Sequence, residues 1–355
     1  MSEDKKTNWL KDFCQKGFET LPKRARIFKI STADSFDSEI LTSLGFNVVD
    51  NSIATTDLLT NNLPRKYDGF LCWRVFAHFT KEDLELALNK IYQALNINGR
   101  LIFDIDHHEA KLIETISKTN FKIVDLKKFN DKNSSKWFCV VLEKSDKVDQ
   151  KIKQYINTKI LPEYDFYAGH NVHHINYVIR RSLNFAELVP EVNIDMVYVA
   201  AAYHDIGRKI DNKHHEIESA KIFLNDDFMK DFFTDSERKL IAEAIEDHRA
   251  SSDREPRSVY GRIVSSADRS TSIYEVLSRI YKYNKSLHPD YTDDETFADC
   301  CLVLRKKYGI NGYASSKMFF HDPDYEDFIK EIERITADIS IYKKLQLDFN
   351  NKNLA

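Results

Sequence analysis

The stretch YVAAAYHDIGRKID, residues 198–211, is the one from which the rest of the chain is read. Residues 198–203 are apolar without interruption, long enough for about two turns of a buried helix. They lead straight into His204-Asp205, then Ile206, Gly207 and the basic pair Arg208-Lys209. A glycine there can end the helix in the left-handed conformation. An imidazole and a carboxylate are then set at the end of a rigid, buried element. An unpaired charge is costly in such a place, whereas metal ligands are well held there. One His-Asp pair is a weak signal alone, so the case rests on the rest of the chain.

From residue 147 onward the sequence reads as nearly all helix. The predicted helices are 172–188, 194–204, 216–224, 235–248, 259–283, 294–307 and 325–342. In the first, Ile175, Val178, Ile179 and Leu183 fall close to helical spacing. Thr234, with Glu237 three residues on, has the pattern of a capping box. Of the 12 histidines in the chain, seven lie in residues 169–248, so they are weighed as a set. AGHNVHHINYV puts His170 and His174 four apart, on one helix face or at its entrance. His214-His215 follow the His-Asp pair by ten residues, and His248 ends a helix in AIEDHRASS. Asp268 follows an apolar run in IVSSADRSTS.

A histidine, an adjacent His-Asp pair and a later aspartate closing an apolar helix give residues 150–345 a likeness to a known superfamily. This half resembles the HD-domain metal-dependent phosphohydrolases, most densely over residues 169–270. The resemblance implies that His174, His204, Asp205 and Asp268 ligate a divalent metal. It also aligns His215 in HHEIESAKIF and His248 in EAIEDHR with recurrent histidines. Tyr177 departs from the pattern, standing where many members have arginine.

Two imidazoles and two carboxylates without a thiolate suit Mn2+, Fe2+, Co2+, Ni2+, Zn2+ or, less well, Mg2+, and exclude a structural zinc cluster. Such a set leaves positions for a water and a substrate oxygen, and acidifies the water. Asp205, His215 and His248 are the expected catalytic residues. Asp205 would both ligate the metal and orient the water. His215 and His248 would either complete a second metal site bridged by Asp205 or donate hydrogen bonds to phosphate around one metal. His170, Arg208, Lys209 and Arg249 are expected substrate contacts, since arginine suits bidentate phosphate binding. Arg269 also lies near the motifs, as do Arg254 and Arg257, which read equally well as solvated helix ends. KKYGINGYASSKMFF, 306–320, is either an interhelical loop or a pocket wall contributing Tyr313 and Lys317 to the substrate. Cys300-Cys301 read as core.

Residues 1–146 are of another kind. Short apolar strands at 26–30, 46–49, 69–73, 101–105, 121–126 and 137–142 alternate with helices at 37–44, 81–95 and 109–119. That alternation predicts a mostly parallel α/β sheet, with the last two strands an antiparallel hairpin. Residues 8–144 resemble the class I S-adenosylmethionine-dependent methyltransferases. YDGFLCWRVFAHFTKEDLELALNKIYQALNINGRLIFDI, 67–105, is similar to that family's fourth strand, helix and fifth strand. Asn96-Ile97-Asn98-Gly99 stands at its turn, and Asp50 at the strand end that holds the ribose. The first strand departs from it: in FKISTADSFDS, 28–38, Lys29 stands at the acidic position and Ser31, Ala33 and Ser35 at the glycines. A Cβ at each hinders backbone approach. The chain after Asp50 is too short for the usual further helix and strand. The expectation is a degenerate domain that does not take S-adenosylmethionine as cofactor and serves dimerisation, partner contact or shielding.

The fold class is therefore multidomain: a Rossmann-like methyltransferase-type sheet over 1–146 and an all-helical HD domain over 147–355. The polar run EKSDKVDQ, 143–150, marks the boundary. With 56 acidic and 52 basic residues, charge gives no argument for nucleic acid or membrane. Five scattered cysteines without a CxxC pair fit a reducing compartment. No apolar run has the length of a membrane span. The expectation is a cytoplasmic enzyme, a homodimer being compatible, acting on a nucleotide or another small phosphorylated metabolite. Two other readings are a methyltransferase with an appended HD domain and a nucleotide sensor without turnover.

Overall fold

The computed structural model of the chain describes residues 3–22, 24–31, 36–50, 55–60, 63, 66–106, 109–130, 136–164 and 170–352. The chain divides into two compact units, Met1–Lys147 and Val148–Ala355.

In the first unit the strands are β1 (Arg26–Ser31), β2 (Asn47–Asp50), β3 (Tyr67–Trp73), β4 (Leu95–Asp106), β5 (Lys122–Asn130) and β6 (Lys136–Glu143). They form one sheet in the order β2-β1-β3-β4-β6-β5. The first four are mutually parallel, and β6 runs antiparallel to both β4 and β5. The helices are α1 (Glu3–Gly17), α2 (Phe36–Ser43), α3 (Thr55–Thr60), α4 (Lys81–Ala94) and α5 (Glu109–Ser117).

The strands' period of two sorts the apolar residues onto two faces. Phe28, Ile30, Phe70, Cys72, Leu101 and Phe103 pack with Leu84, Leu88 and Ile91 of α4 and Leu112 and Ile116 of α5. Ile27, Leu71, Ile102 and Val141 pack with Leu10, Phe13 and Cys14 of α1 and Ile40 and Leu41 of α2. A Rossmann-like three-layer sandwich results.

Some expectations change here. The segment 96–99 is not a free turn but the opening of β4. Its pairing with β3 jumps from Tyr67↔Leu95 to Gly69↔Arg100, so it bulges. Asn98 accommodates the bulge at φ +60, a conformation that asparagine tolerates. After β2 the described residues hold the short helix α3 and no strand before β3. Lys29 is buried, and its ammonium donates to Ser38 Oγ of α2 at 3.0 Å. Ala33 and Ser35 lie outside the described residues, as do the side chains of Ser31 and Asp50.

The second unit is helical: α6 (Gln150–Tyr155), α7 (Val172–Ala186), α8 (Ile194–Tyr203), α9 (His215–Leu224), α10 (Asp227–Lys230), α11 (Asp235–Asp247), α12 (Val259–Ala267), α13 (Ile273–Leu287), α14 (Asp293–Tyr308), α15 (Pro323–Ala337) and α16 (Ile339–Lys352). The capping box at Thr234 is present. Two predicted helices are each two. The polar run 268–272 separates α12 from α13, because Ser272 Oγ accepts from the Glu275 N–H and starts a new helix. Asp338, extended at φ −137, separates α15 from α16. Cys300 and Cys301 lie in a core shared by α13 to α16, with Val276, Leu304, Phe328 and Tyr342. No helix among the described residues is long and apolar enough to cross a membrane.

Candidate metal centre

The apolar run at the centre of the sequence forms α8, buried from Met196 to Tyr203. Tyr164 fixes its end, donating its hydroxyl to the Ala202 carbonyl at 2.8 Å. His204 and Asp205 follow and are almost fully buried. Gly207 does not end the helix left-handed: Gly45 is the positive-φ glycine of the described residues. The need for glycine is one of space. A Cβ at Gly207 would lie 2.4 Å from Ser219 N and 2.5 Å from His215 O. The turn 206–209 thus presses against the start of α9, tied by the Gly207 N–H to Ser219 Oγ (2.8 Å), and His215 comes to rest over Asp205.

Asp205 is the hub. On one side, His170 Nδ1 is 2.6 Å, His204 Nε2 3.5 Å and His174 Nε2 3.7 Å from its Oδ2. Asp268 Oδ1 closes this side, 3.2 Å from His174 Nε2 and 3.9 Å from His204 Nε2. On the other side, His215 Nε2 and His248 Nε2 are 3.1 and 3.5 Å from Asp205 Oδ1. These residues make three overlapping groups able to hold an ion: His170, His174 and Asp205; His174, His204 and Asp268; Asp205, His215 and His248.

Second contacts set the direction of the imidazoles. Nδ1 of His204, His215 and His248 lies 2.8, 3.1 and 2.6 Å from the carbonyls of Ala201, Asn212 and Ile245. A carbonyl only accepts, so Nδ1 carries a proton, and Nε2 is the nitrogen that gives its lone pair to a bound cation or, protonated, faces the carboxylates. Nε2 of His174 and of His204 is buried without a hydrogen-bond partner. Leaving such an atom unsatisfied costs about 1–3 kcal/mol. A divalent cation beside the two carboxylates would satisfy both, so the donor set fits the metal.

Electrostatics agree with that fit. Burial opposes the Asp205 charge, but His204, His170 and His215 outweigh it and hold the carboxyl well below its ordinary range. Against burial, His174 and His204 likewise hold Asp268 low. Burial disfavours the His204 cation, yet Asp205 and Asp268 raise its pKa. His170 and His248 are lowered, chiefly by burial.

The loop carrying Asp268 is clamped from α7. Tyr177 donates its hydroxyl to the Arg269 carbonyl at 3.1 Å. Buried Arg181 donates Nη1 to the Ala267 carbonyl at 3.2 Å, to the Arg269 carbonyl, and to Tyr177 Oη at 2.8 Å. Its Nη2 pairs with Asp322, the N-cap of α15. Sequence reasoning missed Arg181; the available signal was a charge three residues from Val178 on the apolar side of α7.

The expected substrate contacts divide. Arg208 joins the cluster, with Nε 2.9 Å from Asp205 Oδ1 and Nη2 3.3 Å from His215 Nε2. Lys209 turns to Glu163 instead (2.7 Å). Arg249 is held by Glu216 (3.1 Å) and the Lys213 carbonyl. Lys317 is buried, its ammonium taken up by the Arg254 carbonyl (2.9 Å) and Glu255 (3.3 Å), so it acts as a brace for that loop. Arg254 and Arg257 pair with Asp247, each at 2.9 Å. Tyr313 is partly exposed beyond α14.

Residues 171–273 match the family model of the HD domain. The second unit therefore carries an HD domain, whose superfamily is one of metal-dependent phosphohydrolases binding divalent cations. No curated protein matches the chain. Solved structures similar to its N-terminal part are methyltransferases. Magnesium protoporphyrin IX methyltransferase of Synechocystis PCC 6803, with bound S-adenosylmethionine, is 14% identical over 40% of this chain and 79% of its own, with a TM-score of 0.32. An S-adenosylmethionine-dependent methyltransferase of Leishmania major is 10% identical over 39% and 74%, at 0.34. One of Clostridium acetobutylicum is 10% identical over 41% and 93%, at 0.32.

Proposed function

We propose that the second unit hydrolyses a phosphoester of a nucleotide or another small phosphorylated metabolite, using one divalent metal held by His174, His204, Asp205 and Asp268. The observation that carries this reading is the pair of buried, unpartnered Nε2 atoms of His174 and His204 flanked by two carboxylates. A bound divalent cation supplies a Lewis acid and an acidified water. The chain's own groups do the rest. Asp205, with both oxygens contacted, orients the water. Arg208 meets a phosphoryl oxygen while remaining charged. His170, at the more open edge of the cluster, contacts the substrate. Arg208 on the Asp205–His215 edge favours a single metal, because a second cation would sit against a permanent charge. Buried Lys29 supports a non-catalytic role for the first unit.

The test is metal analysis together with a screen of phosphorylated metabolites under several divalent cations. Chelation should abolish hydrolysis, and Asp205→Ala should remove most metal and activity. Metal content unchanged in that variant would sink the assignment.

A further inference from the structure

Asp268 stands where α12 ends, and the last carbonyls of a helix have no donor within it. Residues 268–272 are not helical, so the direction of the Asp268 side chain depends on contacts from other elements. Buried Arg181 makes them, since its Nη1 meets the carbonyls of Ala267 and Arg269, one on each side of the ligand. A guanidinium is a rigid plane, so where one Nη points the other must follow. The rings of Tyr177 and Phe185 confine it, their centroids 5.3 and 5.4 Å from its central carbon. Its Nη2 pairs with Oδ2 of Asp322.

Asp322 lies well past residues 171–273, the part that matches the HD domain. Its two oxygens have separate duties. Oδ1 caps α15, accepting from the N–H groups of Asp324 at 2.9 Å and Tyr325 at 3.3 Å. Oδ2 takes the guanidinium. The residues just before it are seated on the same elements. The Phe319 N–H donates to Ser266 Oγ of α12 at 3.0 Å, and the Phe320 ring stacks on Phe185 of α7, centroids 5.1 Å apart. Helix α15 is anchored in turn through Tyr325, Phe328 and Ile332 in the core of α13 to α16. A continuous line of contacts therefore runs from that core through Asp322 and Arg181 to the loop of Asp268. A helix cap alone needs one oxygen and no arginine. An ion pair that merely joined α7 to α15 would not need its other Nη aimed at the carbonyls flanking Asp268.

We propose that Asp322 is a positioning residue of the metal centre, acting through Arg181 on Asp268, and that helices α13 to α16 are thereby part of that centre. The proposal rests on the reading of Asp268 as a metal ligand; it does not rest on hydrolysis.

The experiment titrates the full chain, freed of metal by chelation, with Co2+ and follows the visible absorption of the bound ion, which reports affinity and the ligands around it. Substitution separates the two duties of Asp322. Serine caps a helix as well as aspartate does but is too short to reach the guanidinium, whereas glutamate keeps the carboxylate and is not a preferred cap. Asp322→Ser is expected to bind Co2+ about tenfold more weakly, with an altered spectrum. Asp322→Asn repeats the comparison with a second uncharged cap. Asp322→Glu should bind more tightly than either, although thermal unfolding shows its cap to be the poorer. In an Arg181→Met chain, Asp322→Ser should lower the affinity no further, because the two residues act in one line.

Parental affinity in Asp322→Ser and Asp322→Asn overturns the proposal. So does an affinity that follows thermal stability and not the charge at residue 322, and so does an additive loss in the double variant. No Co2+ uptake by the unaltered chain removes the ligand assignment and the proposal with it. The expected pattern in a chain that cleaves no phosphoester supports the proposal and removes only the hydrolase reading.

Discussion

His215 and His248 face each other Nε2 to Nε2 at 3.2 Å, above the same oxygen of Asp205. Both Nδ1 protons are committed to backbone carbonyls, so two lone pairs confront each other unless a donor or cation intervenes. Arg208 Nη2, 3.3 Å from His215 Nε2, is the donor at hand. Arg208→Ala should therefore open this edge to a second metal ion. Metal analysis is expected to show a second equivalent per chain, and stoichiometry unchanged in the variant would show that Arg208 is not what keeps it out.

Arg181→Met should loosen the Asp268 loop. It removes donors from two carbonyls and leaves the partly buried Asp322 without its partner. Breaking a fully buried pair costs about 3–5 kcal/mol, and this partly buried one should cost less. Chemical denaturation should show that loss, and metal affinity should fall roughly tenfold or more, as when supporting contacts of metal ligands are removed. Arg181→Lys should recover little, because one ammonium cannot reproduce the fork.

Gly207→Ala tests the close packing beneath His215. Two backbone atoms lie within 2.5 Å of the added carbon, so the turn or α9 must shift. A destabilisation of about 1–3 kcal/mol is expected, together with weaker metal retention. A variant as stable as the parent and equally loaded would mean that the turn yields freely.

The carboxylates predict the acid limb of the metal-free protein. Asp205 and Asp268 both titrate below their unfolded values. Their contributions are complete above pH ~4 and are lost as pH falls through the folded values. Urea unfolding between pH 5 and 3 should show stability falling with pH, and less steeply in Asp268→Asn. Parallel curves would count against the linkage.

A chain starting at Val148 has its own core and every residue of the cluster. It is expected to unfold cooperatively and to bind metal as the full chain does. If it is insoluble while the full chain is active, the helical unit needs the first one to fold.

Much of this was legible locally. The strands of the first unit are apolar runs buried on both faces, and composition finds those directly. Helix α8 announced itself as an unbroken apolar segment, and the histidines that gather around Asp205 stood out as a set. What escaped depends on partners far along the chain. Arg181 acquires its role from carbonyls near residue 268 and from Asp322. Lys209 and Lys317 looked available because Glu163 and the Arg254 carbonyl are distant in sequence. Gly207 was rightly singled out for the wrong reason: contact with α9, not dihedral freedom, demands it. The break after Asp268 was hidden because apolar residues continue on either side of it.

Helices α8, α11 and α12 all finish at the cluster, and the residues that cap them are His204, His248 and Asp268. Each helix end brings roughly half a negative charge from its aligned peptide dipoles. The backbone alone thus makes the pocket attractive to a cation and hostile to a phosphate, before Asp205 is counted. Binding order follows: the metal enters a negative field unaided, and an anionic substrate can approach only after the metal has reversed it.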